Sequence, residues 1–176
     1  TKAVLPNTVK IIGTRAFYGC QGLEEVVIPE GVTEISNDAF YACSRLARIN
    51  LPESIAAIGY AAFSGCAGLE SVSLPKGIER IESWAFYQCS GLRQMIVPSD
   101  VKVIGDLAFG YCTGLREITI PDSVVQASHN ILEGCGALER INASEEWKRN
   151  HPYVSPLLSS YSQESKKGGC DIATAV

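Results

Sequence analysis

The stretch Cys43-Ser-Arg-Leu-Ala-Arg-Ile-Asn-Leu-Pro52, with Ala62-Phe-Ser-Gly-Cys66 after it, decides the fold of this chain. Ile49 and Leu51 alternate with Arg48 and Asn50, which is the period of a strand that buries one face. Pro52 ends the run, because a residue without an N–H cannot donate to a strand ladder. On the other side of the stretch, Val32 and Ile35 carry a second extended arm. Ala39, Phe40 and Cys43 stand at i, i+1 and i+4, so one turn of helix points all three inward. The segment is short and predicts a single α or 3₁₀ turn. One unit therefore reads as strand, proline corner, second arm, short helical turn and return to the strand.

The unit repeats. Cys20, Cys43, Cys66, Cys89, Cys112 and Cys135 follow one another at intervals of 23 residues. Prolines at 6, 29, 52, 75, 98 and 121 keep the same register, as do the Ala-Phe pairs ending at Phe17, Phe40, Phe63, Phe86 and Phe109. Leu23, Leu46, Leu69, Leu92, Leu115 and Leu138 form another column, and Ile12, Ile35, Ile58, Ile81 and Ile104 a further one. Fixed-period self-similarity is the mark of a solenoid, in which each unit buries its apolar side against its neighbours. Stacked strands about 4.8 Å apart give a parallel sheet backed by ladders of like residues.

The pattern C-x-x-L-x-x-I-x-[LI]-P followed by A-F-x-x-C resembles the BspA-like leucine-rich repeats, also called the Treponema pallidum type. The resemblance covers about residues 4–143. It implies an α/β repeat solenoid: a right-handed horseshoe segment with its parallel sheet on the concave face and short helical turns and second arms elsewhere. It also implies a microbial cell-surface or secreted protein concerned with adhesion.

Composition fits this picture. The chain has 176 residues, 46% of them hydrophobic, and a formal net charge of −4. Enough apolar material is present for a sizeable core. No basic cluster suggests nucleic acid, the nearest being Lys166-Lys167. No run of 18 or more apolar residues is long enough to span a membrane. The solenoid is expected over residues 1–143, the first repeat partial, with a capping segment at 144–158 and a flexible tail or linker at 159–176. Ser144-Glu145-Glu146-Trp147 reads as a helix start, serine capping and acids in the first turn. The abrupt start at Thr1–Pro6 reads as a piece of a longer array.

The cysteines invite a metal or disulfide reading. Residues in a straight column do not converge on a point as metal ligands must. Disulfides between neighbouring rungs are within the Cα separation such bonds span. Each cysteine nevertheless adjoins core positions, which favours small buried hydrophobes. Cys170, in Lys-Lys-Gly-Gly-Cys, stands apart as the thiol expected to react. Neither metal nor cofactor is expected. Catalysis has little support, since His129 and His151 are the only histidines and no phosphate loop or nucleophile motif is present.

Binding residues are therefore sought in the variable columns. On the strand, residues pointing away from the core form two of them. One holds Glu25, Arg48, Ser71, Gln94, Glu117 and Arg140; the other holds Val27, Asn50, Ser73, Ile96, Thr119 and Asn142. This mixed face suits a protein ligand, a host or surface protein. A second candidate is an aromatic patch of Tyr18, Tyr41, Tyr60, Trp84 and Tyr87, which could anchor a protein or stack on a carbohydrate. The expected function is a non-catalytic protein-binding or adhesion module. The alternatives are a rigid spacer in a larger surface protein and a carbohydrate-binding module.

Overall fold

A computed structural model describes residues 1–154; Pro156-Leu157-Leu158, Cys170 and the expected tail lie outside them. In chain order the strands are β1 (Lys2–Val4), β2 (Ile11–Ile12), β3 (Glu25–Val27), β4 (Glu34–Ile35), β5 (Arg48–Asn50) and β6 (Ala57–Ile58). They continue with β7 (Arg80–Ile81), β8 (Gln94–Ile96), β9 (Val103–Ile104), β10 (Glu117–Thr119), β11 (Gln126–Ala127) and β12 (Arg140–Asn142), before helix α1 (Glu145–Asn150). All pairings are parallel and join equivalent positions of adjacent repeats, as in Glu25 opposite Arg48 and Glu117 opposite Arg140. The molecule is a parallel β-solenoid of about six coils.

Between the two arms lies an interior of like-on-like ladders. Phe40, Phe63, Phe86 and Phe109 are fully buried, as are Leu46, Leu69, Leu92 and Leu115. The phenylalanine rings stack in parallel from Phe17 to Phe109 at centroid spacings of 5.1–5.7 Å. Truncating such a ring leaves a void its neighbours cannot fill, a cost of about 3–5 kcal/mol.

The corner carrying these rings differs from the predicted helical turn. It is built from successive turns closed by i→i+3 bonds, such as Tyr41 N to Asp38 O at 3.1 Å and Cys43 N to Phe40 O at 3.1 Å. Between them, Asp38 N, Phe40 N and Ala42 N donate instead to Tyr60, Ala62 and Ser64 carbonyls of the next coil, at 2.7–2.9 Å. In a helix every N–H points along the axis, whereas here alternate N–H groups point sideways to the next coil. Two left-handed residues in each of the first five repeats, and one in the sixth, make the arrangement. One column is Arg15, Asp38, Ala61, Trp84 and Leu107, with φ of 50–62°; the other is Gly19, Ala42, Gly65, Gln88, Tyr111 and Gly134, with φ of 55–74°. Glycine adopts that conformation freely and other residues at a cost, so the second column is half glycine.

The same corner explains the cysteines. The thiols of Cys43, Cys66, Cys89, Cys112 and Cys135 donate to the carbonyls of Phe17, Phe40, Phe63, Phe86 and Phe109 in the preceding coil, at 3.0–3.2 Å. A carbonyl has two acceptor positions, and the backbone N–H of the same repeat's cysteine takes the other. Burial pushes the Cys43 thiol up to about 11 and that of Cys135 to about 12, and those of Cys66, Cys89 and Cys112 also upward. One cysteine departs from the expected column. Cys20 is exposed, because each buried thiol is covered by the coil before it and Cys20 lies in the first.

At the other end Ser144 Oγ accepts from Trp147 N at 3.0 Å and caps α1. Trp147 is buried, its indole N–H donates to the Val124 carbonyl at 2.9 Å, and its ring stacks on His151. The apolar end of the sixth coil is thereby covered.

Candidate recognition face

The outward columns are on one face, as the period-two reading requires, but the sheet beneath them is in two pieces. One has the order β1-β3-β5 and the other β12-β10-β8. The rung between them, Ser71-Val72-Ser73, belongs to no strand. The second arm divides at the same level, into β2-β4-β6 and β11-β9-β7. Across this boundary the corner ladder remains closed: Ala61 N to Ser83 O, Phe63 N to Ala85 O and Gly65 N to Tyr87 O measure 3.1, 2.9 and 2.7 Å. Coils 3 and 4 thus stay joined along the phenylalanine corner while neither arm forms a strand ladder across the boundary.

Core is exposed at this boundary. In the inward column Val26, Met95, Ile118 and Ile141 are buried, whereas Ile49 and Val72 are half-buried. A cavity of about 600 Å³ opens there. Its walls include outward Ser71, Ser73, Gln94 and Ile96 and inward Ile49 and Val72, so it reaches between the rungs as well as over them. Lys76 is the one charged side chain along it. The sequence reading missed Lys76, Ile49 and Val72. The available signal was the rung itself, Ser-Val-Ser, whose small hydroxyl side chains add little cross-strand packing and compete for backbone hydrogen bonds.

Within the two outward columns charge is confined to the ends. Glu25 lies between Lys2 Nζ at 2.7 Å and Arg48 Nη2 at 3.3 Å. Its carboxyl is held below its usual range, first by the Lys2 bond and, against desolvation, by the Arg48 guanidinium. At the far end Arg140 Nη2 is 3.3 Å from Glu117 Oε2, and Asn142 Nδ2 donates to Glu117 Oε1 at 2.5 Å. Asn50, Ser71, Ser73, Gln94, Ile96 and Thr119 leave the middle uncharged. The face is a neutral centre between two internally paired poles.

The expected aromatic patch divides in two. Tyr18 and Tyr41 stack at 4.9 Å, with the Arg15 guanidinium 5.3 Å from the Tyr18 ring centre. Tyr60, Trp84 and Tyr87 form a separate chain at 6.3 and 4.4 Å. Tyr111 extends it edge-on at 5.5 Å from Tyr87, and its hydroxyl lies 3.2 Å from Glu133 Oε1, which raises the phenol's pKa. Buried Ser64 stands in the column between Tyr41 and Tyr87. Tyr60 and Tyr111 are exposed and Trp84 and Tyr87 half-buried. Among the described residues, no group of three or more His, Cys, Asp or Glu could hold a metal ion, and no helix is long and apolar enough to cross a membrane.

A parallel solenoid of short coils, with a cysteine-bonded phenylalanine corner opposite a solvent-facing sheet, defines a leucine-rich repeat protein. The chain belongs to the BspA-type leucine-rich repeat family, whose model of six copies matches residues 1–115 and 85–155. Its fold is similar to that of a leucine-rich repeat protein from Bacteroides ovatus, 36% identical with a TM-score of 0.73. That likeness covers 80% of this chain and 39% of the Bacteroides protein, so the chain spans well under half of that protein's length. It is also similar to the T. pallidum leucine-rich repeat protein, at 27% identity and a TM-score of 0.68, over 88% of this chain and 83% of that one. The pneumococcal vaccine antigen PcpA shares the fold at 22% identity and a TM-score of 0.55, over 82% of this chain and 46% of that one. No curated protein matches the chain.

Proposed function

We propose that this chain is a non-catalytic protein-recognition module of a microbial cell-surface or secreted protein, acting in adhesion. The observation that carries the reading is the organisation of the outward columns. Seven rungs, from β1 to β12, place their side chains in two rows, with ion pairs satisfied within the protein at both ends and an uncharged, partly apolar centre. Recognition faces are low in charge at their core and polar at their rim. Membership of the family supports the class of function, and the pneumococcal relative's description as a vaccine antigen agrees with surface display.

The chain of Tyr60, Trp84, Tyr87 and Tyr111 favours a second reading, carbohydrate binding, because clustered rings offer flat apolar surface beside hydroxyls. The experiment is direct binding of the full chain to immobilised extracellular-matrix and epithelial surface proteins. Gln94→Arg/Ile96→Arg and Trp84→Ala/Tyr87→Ala variants are run in parallel, with melting temperatures. Saturable binding lost in the first variant alone supports recognition by the sheet face. Loss in the second alone moves the site to the aromatic chain, and no binding by folded protein leaves a spacer role.

A further inference from the structure

Between coils 3 and 4 the second arm lacks the bonds that its other levels make. Ala56 N and Gly59 N donate to the Thr33 and Ile35 carbonyls at 2.9 and 2.8 Å. Lys102 N and Gly105 N donate to those of Glu79 and Ile81 at 2.8 and 2.9 Å. The equivalent donors at the boundary are Glu79 N and Glu82 N, and the equivalent acceptors are the carbonyls of Ala56 and Ile58. None of the four has a partner among the described residues. All four residues line one groove of about 660 Å³, together with Tyr60 and Arg80. We infer that this groove is a carbohydrate-binding site, taking one neutral pyranose ring of a glycan with its apolar face on Tyr60. The site deepens the carbohydrate reading of the aromatic chain and rests on it.

The spacing of the strands rules out an inserted peptide strand. β6 and β7 have Cα atoms within 8 Å of one another, whereas a strand between them would set them about 9.6 Å apart, two ladder spacings. The groove therefore suits a compact group that reaches in from solvent. A hydroxyl donates and accepts at once, so adjacent hydroxyls of one sugar ring answer both the free N–H groups and the free carbonyls. Asn37 Oδ1 is occupied by Tyr60 N at 2.9 Å, which leaves its amide N–H groups as further donors. Arg80 Nε holds Glu82 Oε1 at 3.0 Å, and this pair steadies a guanidinium whose other N–H groups are open to a ligand.

The ring face comes from the aromatic chain. Tyr60 is exposed, and the Trp84 ring lies 6.3 Å from it. Trp84 stands at φ 62°, where a bulky residue is an outlier and glycine would sit freely. The indole is thus held beside the groove against the preference of its backbone. Charge decides against an acidic glycan. Two carboxylates, Glu79 and Glu82, face one guanidinium, Arg80, so the lining is negative by one charge. Glu34 opposite Ala57 and Lys102 one coil beyond Glu79 add one charge of each sign and leave that balance unchanged.

The test applies the full chain to an array of neutral, sialylated and sulfated oligosaccharides. Bound glycans are then titrated against wild type, Ala57→Trp, which fills the groove from an exposed position, and Arg80→Ala. The sheet-face variant Gln94→Arg/Ile96→Arg is the control, and circular dichroism melts confirm that each protein is folded. The expected result is binding of neutral glycans with a change in tryptophan fluorescence. Affinity should fall about tenfold or more in both groove variants, as for loss of a central contact, and stay unchanged in the control. A preference for sialylated or sulfated glycans, or equal affinity in all four proteins, overturns the site. Matrix-protein binding that Ala57→Trp abolishes, without any glycan binding, overturns it in favour of a protein contact. Glycan binding lost in Trp84→Ala/Tyr87→Ala but kept in both groove variants leaves the aromatic reading standing and removes the groove. No glycan bound by the folded wild type removes both.

Discussion

Arg48 Nη2 lies 3.3 Å from Glu25 Oε2, one coil away on the same outward column, and Lys2 approaches the other oxygen of that carboxylate. Arg48 was an obvious ligand contact in the sequence, but in the fold its charge is satisfied by its neighbour. A surface pair of this kind is worth about 0–1 kcal/mol. Arg48→Ala should therefore lower stability by less than about 1 kcal/mol and leave partner binding within about twofold. Arg48→Glu should cost more than Arg48→Ala, since it sets like charges side by side. Urea denaturation of the two variants measures the difference, and an Arg48→Ala that abolishes binding would contradict the paired-pole description.

The absent ladder makes a prediction for hydrogen exchange. Amides of residues 71–74 should exchange faster than those of the equivalent rung at 117–120, whose strand β10 is paired on both sides. Uniform protection along the outward rungs would show that the sheet is continuous in solution.

Phe63 bridges the boundary at which the arm ladders stop, stacked on Phe40 at 5.3 Å and Phe86 at 5.4 Å. Repeat arrays unfold as coupled neighbours, and weakening one interface can uncouple the two sides. Phe63→Ala should cost about 3–5 kcal/mol and split a single unfolding transition into two. Phe109→Ala, near the end, should destabilise without splitting it. Calorimetry of the pair distinguishes the cases.

The thiol column predicts an alkaline limit. The folded pKa of Cys43, about 11, lies above the ordinary value of about 9, so between them the folded state holds a proton that the unfolded state releases. Stability should be full below pH 9 and fall as pH rises through 11, because slope follows the excess of protons bound by the unfolded chain, here negative. Cys43→Ala should flatten part of this decline in melting temperature. In a Cys170→Ser background, iodoacetamide should label Cys20 quickly and spare Cys43, Cys66, Cys89, Cys112 and Cys135 until unfolding.

Ala42 occupies, at φ 57°, a position that is glycine in the first, third and sixth repeats. A left-handed alanine costs about 1–2 kcal/mol, and glycine's extra unfolded-state entropy about 0.5–1 kcal/mol. Ala42→Gly should therefore stabilise by up to about 1 kcal/mol. Gly65→Ala should destabilise, since φ is 74° and the added Cβ would sit 3.3 Å from Ala42 Cα. Chemical denaturation of both variants tests the assignment.

The repeat, its strand, its proline corner and its buried ladders were legible in Cys43–Pro52 and Ala62–Cys66, because a unit that cannot bury its own apolar side has to stack on its copies. The family followed from the same residues. Three things depended on the assembled coils. The corner is not helical, since its alternate N–H groups are needed by the next coil, a demand that no single repeat reveals. Arg48 and Arg140 are paired within the protein, which depends on register across 23 residues. The cavity at Ser71–Ser73 arises where two small side chains leave the arms unpaired although every ladder residue remains in phase. Local pattern determines what a coil buries; whether adjacent coils close completely is settled by the packing between them, and there the candidate site lies.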